Sequence, residues 1–447
     1  MSQDGTAVPK AVGIVADDLT GAIDTAGVFA ARGLRTMVSL QPQPPEARST
    51  PAVLCYNTQT RNLAAPDTMG PVRQATRHLV RQGYPRLLKK IDSTLRGHVG
   101  PETKAMLDES GARYAFVAPA FPEMGRTQRD GLLYVGDVPL DQAQEGNDPF
   151  SELDSPSVVE LLRRQTVLKV GLVHLSAVES GEAAIEARTR ALIGEGCTVV
   201  AFDAARAEHL ARIEAVLARS YPDGLLVGSA GLATAMAARA AKSTHSRREP
   251  GPRRHAAGPI VLVSGSLNAA TLAQLERVGI MPEVRTVTMD AATILGSEAA
   301  QDITRRRLID EASAALQRGQ QVCLRWRPTP LGPAEVASGD GLLQSSRRLN
   351  LYLQELVAGL LKSASYGGLV LVGGDTAHSV LMGLRAKSIA LETEMLPGIS
   401  MGIVTGGDAD AKPVVAKAGG FGDEDALVRV IEYLRDTGVE RERRTGA

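Results

Sequence analysis

The nine residues KKIDSTLRG, 89 to 97, crowd Lys89, Lys90 and Arg96 around one carboxylate, Asp92, and two hydroxyls, Ser93 and Thr94. Ammonium and guanidinium groups pair with acid anions, while Asp, Ser and Thr bond hydroxyls, so this mixture suits a small anion that carries several OH groups. The apolar lead-in of Tyr84, Leu87 and Leu88 reads as a short buried strand. That places the polar residues at its end and in the turn after it, where open α/β sheets bind ligands. The competing reading is a solvated charged loop.

Other segments repeat this logic. GIVADDLTGAIDTAG, 13 to 27, closes an apolar strand with Asp17 and Asp18 and places Asp24 in the helix beyond. Carboxylates there could hold hydroxyls or accept a proton, or Asp18 or Thr20 could simply cap the helix. NTQTRNL puts Arg61 just after the strand PAVLCYN. Residues 118–140 begin as a strand and continue as a long loop with a hairpin at Gly131, either a flap over a substrate or a structural excursion. The second half of the chain holds three Gly-rich turns after apolar strands: Ser264, Gly265, Ser266; Gly373, Gly374, Asp375, Thr376; and Gly419, Gly420, Phe421, Gly422. Glycine lets backbone N–H groups converge on phosphate oxygens, and a helix N-terminus adds partial positive charge. Each turn alone reads as a tight βα connection. Three in one half point to nucleotide phosphates.

The elements that must position these residues follow from periodicity. Short apolar strands alternate with helical stretches at about 20–32, 71–82, 100–109, 182–194 and 206–219, which is the pattern of a parallel α/β sheet. The alternation breaks between Ala241 and Gly258 in a Pro- and Arg-rich stretch, and resumes with PIVLVSGS, QVCLRWR, a helix near 346–362, GGLVLVGG and a C-terminal helix near 423–436. The expected organisation is an N-terminal domain over 1–242, a linker over 243–258 and a C-terminal domain over 259–447.

Composition excludes several function classes. Lys plus Arg and Asp plus Glu both number 50, so no general attraction to nucleic acid or to a membrane is expected. Aromatics make up only 3%, which leaves few platforms for stacking bases. Cys55, Cys197 and Cys323 are isolated, as in a reduced cytoplasmic protein; the N-terminal apolar run AVGIVA is closed at once by Asp17 and Asp18 and no other run approaches 18 residues, so neither a signal peptide nor a membrane span is expected. No Gly-Lys dipeptide and no G-x-G-x-x-G after a strand occur, so neither a P-loop nor a dinucleotide fingerprint is present. GSAGL lacks the first glycine of a nucleophile elbow, with Val227 in its place. The histidines show no metal-ligand spacing, and no protein-bound metal is expected.

Taken in order, ADDLTGAIDTAG, NTQTR, KKIDSTLRG, APAFPEMGRT, GSAGLA, VSGS, GGDTAHSV, LPGIS and KAGGFGDEDAL resemble the four-carbon acid sugar kinase family. The resemblance implies ATP-dependent phosphorylation of the terminal hydroxyl of D-threonate, D-erythronate or 3-oxo-tetronate, with the acid sugar in the N-terminal domain and ATP with Mg²⁺ in the C-terminal one. It implies two α/β domains with mainly parallel sheets and a ligand site in the cleft between them. By motif, the substrate positions would be Asp17, Arg61, Lys90, Ile91, Asp92 and Ser93. Those for ATP would be Ser266, Gly373, Gly374, Asp375, Thr376, Gly419, Gly420, Phe421 and Gly422. The segment GLLYVGDVPLDQAQEGNDPF is similar to D-threonate kinases. The residues then suggest that Lys89, Lys90, Arg96 and Arg61 hold the sugar carboxylate while Asp17, Asp92 and Ser93 fix the hydroxyls. Mg²⁺ would be held mainly by phosphates. The base stays open among Asp17, Asp18 and Asp375. The partners are the acid sugar and ATP, with a homodimer as an option. Rival readings are a kinase for another sugar acid and a non-catalytic sugar-acid-binding regulator.

Overall fold

Near-continuous runs of Val, Leu, Ile and Ala, too short for helices, form the strands of this protein, because a parallel sheet buries both faces and selects apolar residues on each. The computed structural model describes residues 11–41, 50–143, 155–243, 257–327 and 339–435. The chain divides into two compact units, Met1–Arg248 and Glu249–Ala447. The helix Ala230–Ser243 runs through the point where the sequence pattern breaks, since AARAAKS is a run of good helix formers. Of the expected linker 243–258, residues 244–256 lie outside the described residues.

In the first unit the strands are β1 (Val12–Ala16), β2 (Thr36–Ser39), β3 (Val53–Asn57), β4 (Arg86–Lys90), β5 (Ala115–Ala118), β6 (Arg126–Arg129), β7 (Leu132–Val135), β8 (Val138–Pro139), β9 (Val170–Val173), β10 (Val199–Phe202) and β11 (Leu225–Gly228). The main sheet has the order β2-β3-β1-β4-β11-β5-β10-β9, with every pair parallel. From β1 the chain moves to β2 and β3 on one side and then to β4 on the other, so the strand order reverses there. Register makes this edge flush: Ala16 pairs with Asn57 and with Lys90, and Lys90 pairs with Gly228. Four strands thus deliver their last residues to one line, at the topological switch where open sheets bind ligands.

Two details modify the expectations for this unit. The second helix is Ala65–Arg81, with Pro66 in its first turn and Pro71 inside it, so it begins ahead of the start expected near 71. Residues 126–139 form a small antiparallel sheet, β6-β7-β8, whose hairpin turns through Asp130 and Gly131 at φ of 50° and 77°. Two successive positive φ values match the twist of the flanking strands, as in a type I′ turn.

The second unit holds β12 (Ile260–Ser264), β13 (Val284–Met289), β14 (Gln321–Trp326), β15 (Gly368–Val372), β16 (Ser388–Leu396), β17 (Ile399–Thr405) and β18 (Pro413–Lys417). Its order is β13-β14-β12-β15-β18-β17-β16. The first five are parallel; β17 and β16 add an antiparallel edge turned at Gly398, φ 71°. Here too the order reverses, between β12 and β15, and the ends are flush: Ser264 pairs with Val372, and Val372 with Lys417. Among the described residues no helix is long and apolar enough to cross a membrane.

Candidate functional site

At the β1/β3/β4 edge, Arg61 is the hub. Its loop is tied to the end of β1, since the Thr60 and Arg61 amides both donate to the Asp17 carbonyl. The guanidinium then grips Asp17 in a two-pronged pair, Nε to Oδ2 and Nη2 to Oδ1, both at 2.9 Å. The same Nη2 reaches Asp18 Oδ1 at 2.8 Å, and Nη1 lies 3.9 Å from Asp92 Oδ1. Asp18 is also the N-cap of the helix Leu19–Ala30, accepting from the Gly21 amide at 2.8 Å, so the capping and site roles coincide in one side chain. Asp92 accepts Arg96 Nε at 2.8 Å and Nη2 at 3.1 Å, together with the Thr94 hydroxyl.

The electrostatics follow from this crowding. Burial works to raise the Asp17 carboxyl, but Arg61, Lys89 and Lys90 outweigh it and hold it below the ordinary range. Asp92 is held well below, with burial overcome by Arg96, Arg61 and Lys90. Both are therefore anions at neutral pH. Burial likewise opposes the charge on Arg61, and Asp17, Asp18 and Asp92 together raise its pKa well above the usual value.

The four cations assigned from sequence separate into distinct roles. Lys89 is fully buried and paired with Glu102 of the helix Val99–Ser110, Nζ to Oε2 at 2.7 Å, so it holds the fold and is not available to a sugar carboxylate. Strand alternation explains this: successive side chains point to opposite faces, Lys89 toward the helix Val99–Ser110 and Lys90 toward the helix Leu19–Ala30. Arg96 is committed to Asp92 and Arg61 to the Asp17–Asp18 pair. Lys90, buried, donates to the Ile91 carbonyl at 2.8 Å and has no carboxylate within 4 Å among the described residues. A Cβ at position 21 would stand 2.8 Å from its Nζ and 2.5 Å from Asp18 Oδ1, so only glycine lets the helix pass this close. Ser93 is half-buried without a hydrogen bond to a described residue. Ile91 packs its side chain in the core, and its amide donates to the Gly228 carbonyl.

The second edge is built differently. The turns after β12, β15 and β18 touch one another: a Cβ on Gly265 would stand 1.9 Å from Thr376 Oγ1, one on Gly419 2.6 Å from Ser266 Oγ, and one on Gly373 3.8 Å from the Ser266 Cβ. Gly373, φ 100°, leads into the helix Gly374–Gly383 without a side-chain cap, which leaves that N-terminus to an outside acceptor. Asp375 and Thr376 lie in its first turn. The Gly419, Gly420 and Gly422 amides have no acceptor among the described residues. Phe421 packs its ring on Gly398 at the β16–β17 turn, which anchors the loop.

Sequence reasoning passed over three residues here. Lys417 ends β18 with 1% exposure, and its Nζ donates to the carbonyls of Ala418 at 2.9 Å and Gly419 at 3.0 Å. Burial pushes its ammonium down to about 8. Thr271 and Gln274, on the helix Ala269–Gly279, donate to the carbonyls of residues 419 and 421–423. The lysine adjoining AGGFG was the available signal; the helix contacts depend on packing.

Away from both edges, Asp130, His174 and Asp203 come close together. Asp203, whose carboxyl burial pushes up, already accepts from Gln128 Nε2 and from the Gly131 and Leu175 amides. Its oxygens tie the β6–β7 hairpin to the main sheet.

One strand edge thus presents fixed charges and hydroxyl-binding groups, and the other presents glycine backbone beside a helix N-terminus, the make-up of a protein with separate polar small-molecule and phosphate sites. Comparison with known proteins agrees with this division. Residues 12–236 match a family described as a sugar-binding N-terminal domain, and 261–427 one described as a nucleotide-binding C-terminal domain. A D-threonate kinase of Bordetella bronchiseptica is 35% identical over 95% of this chain and 98% of its own. A D-erythronate kinase of Heliobacterium modesticaldum is 30% identical over 94% and 96%, and a 3-oxo-tetronate kinase of Methylobacterium radiotolerans 29% identical over 95% and 99%. A crystal structure from Salmonella typhimurium LT2 shares the fold, with a TM-score of 0.77 at 23% identity over 94% of this chain and 98% of the other. The chain belongs to the four-carbon acid sugar kinase family.

Proposed function

We propose that this protein transfers the γ-phosphoryl group of ATP to the terminal 4-hydroxyl of a four-carbon acid sugar, with D-threonate the first acceptor to test. The observation that carries the reading is Lys90: a buried ammonium without an ion-pair partner among the described residues, set beside the Arg61–Asp17–Asp92 network at a strand-end switch. A carboxylate that enters there finds an ammonium with no direct ion pair among the described residues, and a chain of hydroxyls finds ionised Asp17 and Asp92 and the Ser93 hydroxyl as partners. D-threonate is put first on the 35% identity to one D-threonate kinase, although another D-threonate kinase and a D-erythronate kinase are both 30% identical.

The second unit's residues fit a nucleotide phosphate chain. Its unaccepted amides and uncapped helix N-terminus supply donors, and its glycines leave room for oxygens to approach the backbone. ATP would supply the phosphoryl group, and Asp375, in the first turn of the helix Gly374–Gly383, would help to hold a Mg²⁺ that neutralises phosphate charge. In the step itself the acceptor oxygen forms a bond to the γ-phosphorus, the bond to the ADP oxygen breaks, and the hydroxyl proton leaves to a base. Asp17 is a weak base because Arg61 and the two lysines lower its affinity for a proton, so its part is to orient the acceptor chain. Asp18 and Asp375 remain the candidates for the proton. Such a protein works in the cytoplasm, where ATP is supplied and its three free, buried cysteines stay reduced.

The test is ADP release with Mg²⁺ and ATP over a panel of three- to six-carbon sugar acids, with the product read by phosphorus NMR. A 4-phosphate from D-threonate or D-erythronate is expected. Turnover confined to larger acids would refute the acceptor assignment. Sugar-acid binding without any ATP binding would make the protein a regulator.

A further inference from the structure

The Gly-rich turn after β18 is held from behind by three side chains. Lys417 Nζ donates to the carbonyls of Ala418 and Gly419, and Thr271 Oγ1 donates to the same Gly419 carbonyl at 2.6 Å. Gln274 Nε2 reaches the carbonyls of Phe421 at 3.1 Å, Gly422 at 3.0 Å and Asp423 at 2.8 Å. Three acceptors around one end of the side chain settle which end of this Gln is the amino group. Thr271 and Gln274 are three apart on the helix Ala269–Gly279, so they share a face, and both are fully buried.

Across a trans peptide the C=O and the following N–H point in opposite directions. A bond to the Ala418 carbonyl therefore turns the Gly419 amide away from Lys417, and the Gly419 and Phe421 carbonyls do the same for the Gly420 and Gly422 amides. Those three amides have no acceptor among the described residues. The Phe421 amide between them folds back onto the Ala418 carbonyl at 3.2 Å, and amides left free in such a turn can form an anion-binding concavity. Lys417 adds to it, because a buried ammonium bonded to two carbonyls, with no carboxylate within 4 Å among the described residues, leaves its charge uncompensated until an anion arrives.

Building on the kinase reading above, we infer that Lys417, Thr271 and Gln274 are positioning residues: they clamp the carbonyls of this turn so that its amides are preset for the phosphates of ATP. None of the three need touch the nucleotide. The clamp fixes a geometry that a glycine-rich loop, with its large conformational freedom, would otherwise have to adopt on binding.

Calorimetry with ATP, and with adenosine by competition, on wild type, Thr271→Val, Thr271→Ser and Lys417→Met tests this. Thr271→Val is nearly isosteric and loses only the donor, so ATP affinity should fall about 10-fold, and Thr271→Ser should restore it. Lys417→Met removes a charge-assisted donor and should cost about 10- to 150-fold. Adenosine affinity should be unchanged in every variant, since adenosine has no phosphate to meet the amides. If Lys417→Met does not fold, the Thr271 pair decides. Wild-type ATP affinity in folded Thr271→Val and Lys417→Met, or equal loss of ATP and adenosine, would overturn the clamp and leave the kinase reading standing. Failure of wild type to bind ATP would remove both.

Discussion

The two strand edges solve recognition in opposite ways. In the first unit, side-chain charges are packed against one another: Asp17, Asp18 and Asp92 face Arg61, Arg96 and Lys90, and each aspartate has an arginine partner. In the second, the turn carbonyls are tied back by Lys417, Thr271 and Gln274, and the exposed donors are peptide N–H groups. The contrast follows from the proposed ligands. A short acid sugar differs from its relatives in where its hydroxyls sit, so rigid, directional side chains are needed to read it. A polyphosphate offers many equivalent oxygens, and oriented backbone suffices.

The largest effect should come from breaking the charged network. Arg61→Met leaves three buried carboxylates without their shared partner, and removing one member of a buried ion pair costs about 3 to 5 kcal/mol. Urea unfolding should show that loss in the first unit's transition; a change under about 1 kcal/mol would mean that the network does not stabilise the edge.

Next in size, Lys90→Ala should weaken acid-sugar binding about 10- to 150-fold through loss of a charge-assisted contact worth roughly 1.5 to 3 kcal/mol. Acid affinity equal to wild type would move the carboxylate elsewhere. Gly420→Ala probes the other edge gently. A Cβ there meets nothing closer than Asn268 Nδ2 at 3.8 Å, so stability should stay within about 0.5 kcal/mol while ATP affinity falls about tenfold.

The smallest effect is in acid. Asp17 and Asp92 have folded pKa values below the ordinary 3.8, so the folded state binds fewer protons than the unfolded chain in the interval between. Their stabilisation is complete above about pH 4 and is lost as pH falls through the lower folded values. Asp92→Asn should flatten the acid limb of the stability profile, as measured by thermal melting from pH 5 downward. An unchanged slope would show that Asp92 is not held low.

How far the sequence carried the reading differs at the two edges for the same physical reason. Strand ends and turns are local, so Asp17, Arg61, Lys90 and the glycine turns could be placed at strand termini from the alternation of apolar runs and punctuating residues. Pairing across the chain is not local. Lys89 looks identical to Lys90 in sequence, and only the docking of the helix Val99–Ser110 beneath β4 gives it Glu102 as a partner. Thr271 and Gln274 likewise read as ordinary helix polar residues until that helix packs against the β18 turn. The antiparallel β16–β17 edge was missed although Pro397–Gly398 is a turn signal, because the apolar pattern on either side resembles that of parallel strands.

Calorimetry with D-threonate alone and ATP alone, on Lys90→Ala and Gly420→Ala, tests the division of labour most directly. The account predicts a crossed result: Lys90→Ala weakens acid binding about 10- to 150-fold and keeps ATP affinity, while Gly420→Ala weakens ATP binding about tenfold and keeps acid affinity. If both folded variants lose both ligands, or if Lys90→Ala loses ATP and spares the acid, the assignment of one ligand to each edge is wrong.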